Sequence, residues 1–165
     1  MTRTPIKARD IVKDVLNNNC LDPYPSVRTG NQFLDESDGI NLTRANTFPK
    51  GFIFIDKEIP HQAEHFHTSG WERNTQRFLL HYFVKDRIHY TDGTGSYMDR
   101  DYALFMKDEI TDTLRDNIAL GSGYYVQNIE KSETVHELIN QDTALPFKLF
   151  EVIIPFNIKW VNTFG

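Results

Sequence analysis

The side chains best suited to metal or acid–base chemistry crowd into one short stretch, with His61, Glu64, His65, His67 and Glu72 close together. On a strand, His65 and His67 would project from the same face and could share a cation, with Glu72 as a further ligand. The pattern is only half of a two-motif metal site. Ile59 stands where the first motif wants glycine, and no glycine-rich second motif with a third histidine follows. His61 and His65 are also spaced for a helical zinc site, but Gln62 occupies the general-base position and Pro60 adjoins it. A polar loop between strands is the simpler reading, so no metal and no cofactor are expected.

Nucleophilic chemistry finds no better support. Gly121-Ser122-Gly123 follows a predicted helix, where a nucleophile elbow would precede one. Cys20 lies in an asparagine-rich helix exit without a nearby histidine. Gly93-Thr94-Gly95 is too short to cradle a phosphate and no lysine follows it. Asp99, Asp101, Asp108, Glu109 and Asp112 read as the solvated face and first turn of one helix. The chain is therefore not expected to be an enzyme.

Composition narrows the classes further. The 165 residues suit a single domain, 1–165, and the formal net charge is −5. Such a balance argues against a polybasic nucleic-acid or membrane-surface module. No apolar run approaches a membrane span, and the basic start lacks the apolar stretch of a signal peptide. With one cysteine, an internal disulfide is excluded. Aromatic residues make up 13%, a content that suits a β-rich fold, a large interface, or both.

The elements follow from periodicity. Ile11, Val12, Val15 and Leu16 form one helical stripe, with Thr4-Pro5 as its start. From 26 to 50 no period persists, which predicts a long irregular loop. Gly51–Ile55 and Phe78–Val84 read as strands. Tyr102, Met106, Ile110, Leu114 and Ile118 define a long central helix, with Ser96 as a possible cap and Gly121 past its end. Tyr124–Ile129 reads as a strand, and 132–141 is open between helix and strands. Phe150, Val152, Ile154, Phe156, Ile158 and Trp160 keep a strict period of two, so the long last strand needs the central helix as its cover. Pro155 would place that strand at an edge or at a bulge. The expected fold is α+β: one antiparallel sheet packed against an N-terminal helix and the central helix.

In element order and size, the helix at Ile11–Leu16, the strands at Phe52–Ile55 and Phe78–Val84, the helix at Tyr102–Ile118 and the strand at 148–161 resemble the tail-terminator and tail-completion proteins of tailed viruses, with the related neck proteins that join head to tail. No residue motif carries the resemblance. It implies a structural virion protein, assembled in the host cytoplasm into a ring, commonly hexameric. The partners it implies are tail-tube and head-connector or neck proteins, with DNA passing through the lumen unbound and no membrane.

The leftover features agree with an assembly role. Leu79, Phe83, Leu149, Ile153 and Val161 offer a second apolar sheet surface. The candidate interface loops run from Asn31 to Ala45 and from His61 to Trp71, both polar enough for an interface rim. A soluble binding or adaptor domain is the alternative, and a metal-dependent enzyme using His65, His67 and Glu72 is the third reading.

Overall fold

A computed structural model of the chain describes residues 2–20, 33–39, 49–59, 70–85, 90–91, 96–97, 99–131, 136–138 and 149–163. Helix α1 (Pro5–Asn19) starts where expected: Pro5 loses nothing in the first turn, and the Thr4 side chain accepts a hydrogen bond from the Lys7 N–H at 3.2 Å. Ala8, Val12 and Leu16 are buried, with Ile11 and Val15 packed beside them.

Among the described residues, nine strands and a second helix follow in chain order. The strands are β1 (Phe33–Asp35), β2 (Lys50–Glu58), β3 (Trp71–Lys85), β4 (Tyr90–Thr91), β5 (Ser96–Tyr97), β6 (Ala119–Gly121), β7 (Tyr124–Ile129), β8 (His136–Leu138) and β9 (Leu149–Thr163). Helix α2 (Asp99–Asp116) lies between β5 and β6. The main sheet has the order β1-β2-β3-β9-β7-β6, with β8 also on β9, while β4 and β5 pair separately.

The expected purely antiparallel sheet is corrected, because β1 runs parallel to β2. Parallel neighbours need a crossover of about a dozen residues or more, and the 36–49 connection supplies that length. The stretch at 26–50 is therefore not a plain loop. Its centre forms a sheet edge and a 3-10 turn at Glu36–Asp38, with Phe33 and Asp35 buried.

The helix arrangement also differs from expectation. Both helices lie side by side on one sheet face, α1 over β1, β2 and β6, and α2 over β3, β7 and β9. Met106, Ile110 and Leu114 share one fully buried cluster with Val152, Ile154, Phe156 and Ile158, as the two apolar stripes required. The helix stops at Asp116, two residues short of Ile118. At its end the Thr113 carbonyl accepts from both the Asn117 N–H at 3.1 Å and the Asn117 side-chain amide at 2.8 Å. Ile118 is consequently outside the helix and 56% exposed. Gly121 does not cap α2. It sits with Ser122 and Gly123 at the β6–β7 turn, all three with positive φ, and Ser96 lies in β5.

Pro155 is neither at an edge nor in a bulge. It occupies a central strand, opposite Leu79 of β3. Its carbonyl accepts from the Glu130 N–H at 2.9 Å, just beyond the end of β7, while β8 pairs only with residues 149–151. The missing N–H faces this same side, past the last described pair of β7 with β9, Ile129 with Phe156.

Gly51 marks the tightest point of the sheet. A Cβ there would meet the Phe33 ring at 2.8 Å and the Tyr82 ring at 3.1 Å, and both rings are fully buried. Gly51→Ala is expected to cost about 1–3 kcal/mol by overpacking, read as a lowered urea midpoint. An unchanged midpoint would show that the two rings can move apart.

Candidate functional site

The two-residue period of β3 and β9 divides the sheet into a face under the helices and an outer face. Strand pairing puts Leu79 opposite Pro155, His81 opposite Ile153, Phe83 opposite Glu151 and Arg73 opposite Val161, all on the outer face. No helix residue among the described ones joins the apolar cluster there.

That face has three zones. At one end Phe52, Phe83 and Leu149 form a small buried cluster flanked by Leu34 and Phe54. The His81 ring meets Phe54 edge-on, and its Nδ1 lies 3.1 Å from a Glu151 carboxylate oxygen. The middle is a charged belt, where the Arg77 guanidinium donates to Asp56 at 2.6 Å and to Glu130 at 2.8 Å. Hydrogen bonds to Asp56 and then Glu130 raise the guanidinium above its usual pKa.

The other end is a groove of about 650 Å³ whose lining includes Arg3, Arg73, Tyr125, Lys159, Trp160 and Val161. Three of these are cationic, and no carboxylate is found among the described lining residues. Tyr125 and Val161 leave 45% and 41% of their surface exposed. The Trp160 indole N–H is buried without a hydrogen-bond partner among the described residues.

Each cation is positioned by the fold. Strand β3 brings Arg73, whose guanidinium lies 5.6 Å from the Trp71 ring centroid, and β9 brings Lys159 opposite Tyr125 of β7. Arg3 arrives from the N-terminal segment. Its N–H donates to the Asn162 side-chain oxygen at 2.8 Å, and the Asn162 amide donates back to the Arg3 carbonyl at 3.1 Å. The Arg3 guanidinium then donates to the carbonyls of Ser122 and Val161. It lies so close over Gly123 that a Cβ at that position would collide with it. The β6–β7 turn, scanned in the sequence for a nucleophile, serves here as a seat for Arg3.

The expected site residues fare differently. Glu72 lies in β3 opposite Asn162. His61, His65 and His67 lie outside the described residues, as does most of the segment from His61 to Trp71, whose last residue opens β3. Among the described residues, no group of three or more His, Cys, Asp or Glu could hold a metal ion. Of the segment from Asn31 to Ala45, residues 33–39 are sheet edge and turn, and the rest lies outside the described residues. Cys20 is buried. No described helix is long and apolar enough to cross a membrane.

The second apolar surface is real in part. All five of its residues reach the outer face; Phe83 and Leu149 are buried there, Leu79 and Ile153 half-buried, and Val161 exposed. Sequence reasoning missed the cationic groove. The alternation of Lys159 and Val161 along β9 was its only local signal, because Arg3 and Arg73 join them through strand register and terminal docking. No protein-family model matches this chain, and no curated protein matches it.

Proposed function

We propose that this chain is a non-catalytic assembly subunit, forming a closed ring with copies of itself, of the kind that ends or completes a viral tail at the head–tail junction. The observation that supports this reading is the two-sided sheet. Both described helices cover one face, while the other combines half-exposed apolar side chains with a cationic groove. A surface of that mixed character belongs to recognition more than to catalysis.

In this reading the ring is hexameric and resides in the virion. Its partners are tail-tube and connector or neck proteins, and DNA passes through the lumen without specific contacts. The net charge of −5 favours such passage, since a sliding polyanion should not adhere.

The test is made in two settings. Size-exclusion chromatography with light scattering on concentrated protein is expected to give a discrete multiple of the 19.3 kDa chain. Assembled particles are expected to contain it in a fixed small-integer ratio to the tail-tube protein. A monomer at every concentration, together with absence from particles, would falsify the ring reading and leave an adaptor domain in its place.

A further inference from the structure

We propose that the cationic groove is one half of a head-to-tail contact, and that its occupant is the acidic outer face of α2 in a second copy of this chain. The inference deepens the ring reading and rests on it.

Charge complementarity carries the argument. The groove gathers Arg3, Arg73 and Lys159 with no described carboxylate in its lining, although the whole chain is acidic. Helix α2 holds six carboxylates against three basic residues over Asp99–Asp116. Asp101, Asp108 and Asp112 are all exposed. At about 100° per residue these three fall within roughly 20° of one line, and they span roughly 16 Å along the helix. That line is opposite the buried stripe of Tyr102, Met106 and Ile110.

The two surfaces point away from each other. Helix α2 covers one sheet face and turns its aspartates outward, whereas the groove opens on the other face. They cannot meet within one copy. A contact between them is heterologous, so it propagates from subunit to subunit and must either close into a ring or continue as a filament. Apolar area accompanies the charge: Tyr125 and Val161 flank the cations, and Ile118 stands exposed just past the end of α2.

Charge reversal tests the contact. Arg73→Glu with Lys159→Glu makes the groove acidic, and Asp108→Lys with Asp112→Lys makes the helix basic. Each double variant alone is expected to self-associate at least about tenfold more weakly than the unaltered chain, because like charges then face each other. Mixing the two variants is expected to restore assembly as an alternating ring, since each then meets an opposite partner. Urea melts check that both variants fold. Independently of any variant, self-association of the unaltered chain is expected to weaken as salt is raised.

The outcomes separate the two proposals. If the unaltered chain forms a ring and the groove variant forms it equally well, this contact is overturned while the ring stands. If the groove variant fails but the helix variant assembles normally, the groove takes another acidic surface and the assignment to α2 is overturned. An unaltered chain that never assembles, in solution or in particles, overturns both.

Discussion

Phe156→Ala is expected to lower the stability of this protein by about 3–5 kcal/mol, the range for removing a large aromatic from a filled core. Phe156 sits in β9 directly opposite Phe78 of β3, with Ile129 of β7 on its other side. Its ring is fully buried and stacks on Phe78 with centroids 5.6 Å apart. From above, Met106 and Ile110 of α2 close the same cluster. The cavity would thus be walled by three strands and a helix, none of which can collapse without moving the others. A small domain has only about 5–15 kcal/mol in total, so this one substitution threatens the fold. Urea unfolding should show the loss as a lower midpoint with a similar slope. Val161→Ala, on the same strand but on the outer face, should stay within about half a kcal/mol. Equal effects for the two would mean that the helix-covered face is not the core.

Asp35→Ala is expected to cost about 3 kcal/mol, because it takes the carboxylate partner from Lys13, a mostly buried cation that α1 directs at β1. Lys13 donates to the Asp35 carboxylate at 2.9 Å, and the Arg9 Nε lies 3.8 Å from it. The Ser37 backbone N–H donates to the same carboxylate at 2.8 Å, and the Ser37 hydroxyl donates as well. Arg9 also donates to Glu36 at 2.8 Å. The carboxylate is almost wholly buried, and it latches α1 to the edge strand together with the Asn17 side chain, which accepts from the Phe33 N–H and donates to the Phe33 carbonyl, both at 2.9 Å.

Burial by itself pushes the Asp35 carboxyl up. The bonds from Ser37 and Lys13, with the charge of Arg9, outweigh that and hold it well below the usual carboxylate range. An unfolded aspartate titrates near ~3.9. A depressed folded pKa therefore adds stability in full above that value, and this share is lost as pH falls from there toward the folded pKa. Lys13 mirrors it: the hydrogen bond to Asp35 raises the ammonium above the ordinary lysine value, so its share persists below that value and fades at more alkaline pH. Melts of the unaltered chain and of Asp35→Asn should differ most between these limits and draw together at both ends. A difference that stayed constant down to about pH 2 would show that the carboxylate charge is not what Asn removes.

Much of the architecture was legible in the chain because its signals are local. The stripe from Tyr102 to Leu114 and the period of two from Phe150 to Trp160 each describe a single element, and each demanded an apolar partner. Their mutual burial was foreseeable, since no other pair of faces was as long or as apolar. Thr4-Pro5 likewise announced the start of α1 through chemistry confined to one turn.

What failed was whatever depended on distant neighbours. The stretch around Phe33 carries too few residues to show a period, and it becomes a strand only because β2 offers an open edge and α1 covers Phe33 and Asp35. Pro155 looked like an edge marker, yet a strand's N–H is dispensable past the end of a neighbour's pairing, and where the described pairing of β7 with β9 ends is set only in three dimensions. The His61–His67 cluster drew attention because its residues adjoin in sequence. The groove did not, because Arg3, Arg73 and Lys159 come from the N-terminal segment, β3 and β9. Sequence by itself determined which faces of α1, α2 and β9 had to be buried, since apolar periodicity is written residue by residue. Only the tertiary structure decided which cations share a groove, because strand register and terminal docking are settled by which faces can be buried together, a long-range choice that no local pattern records.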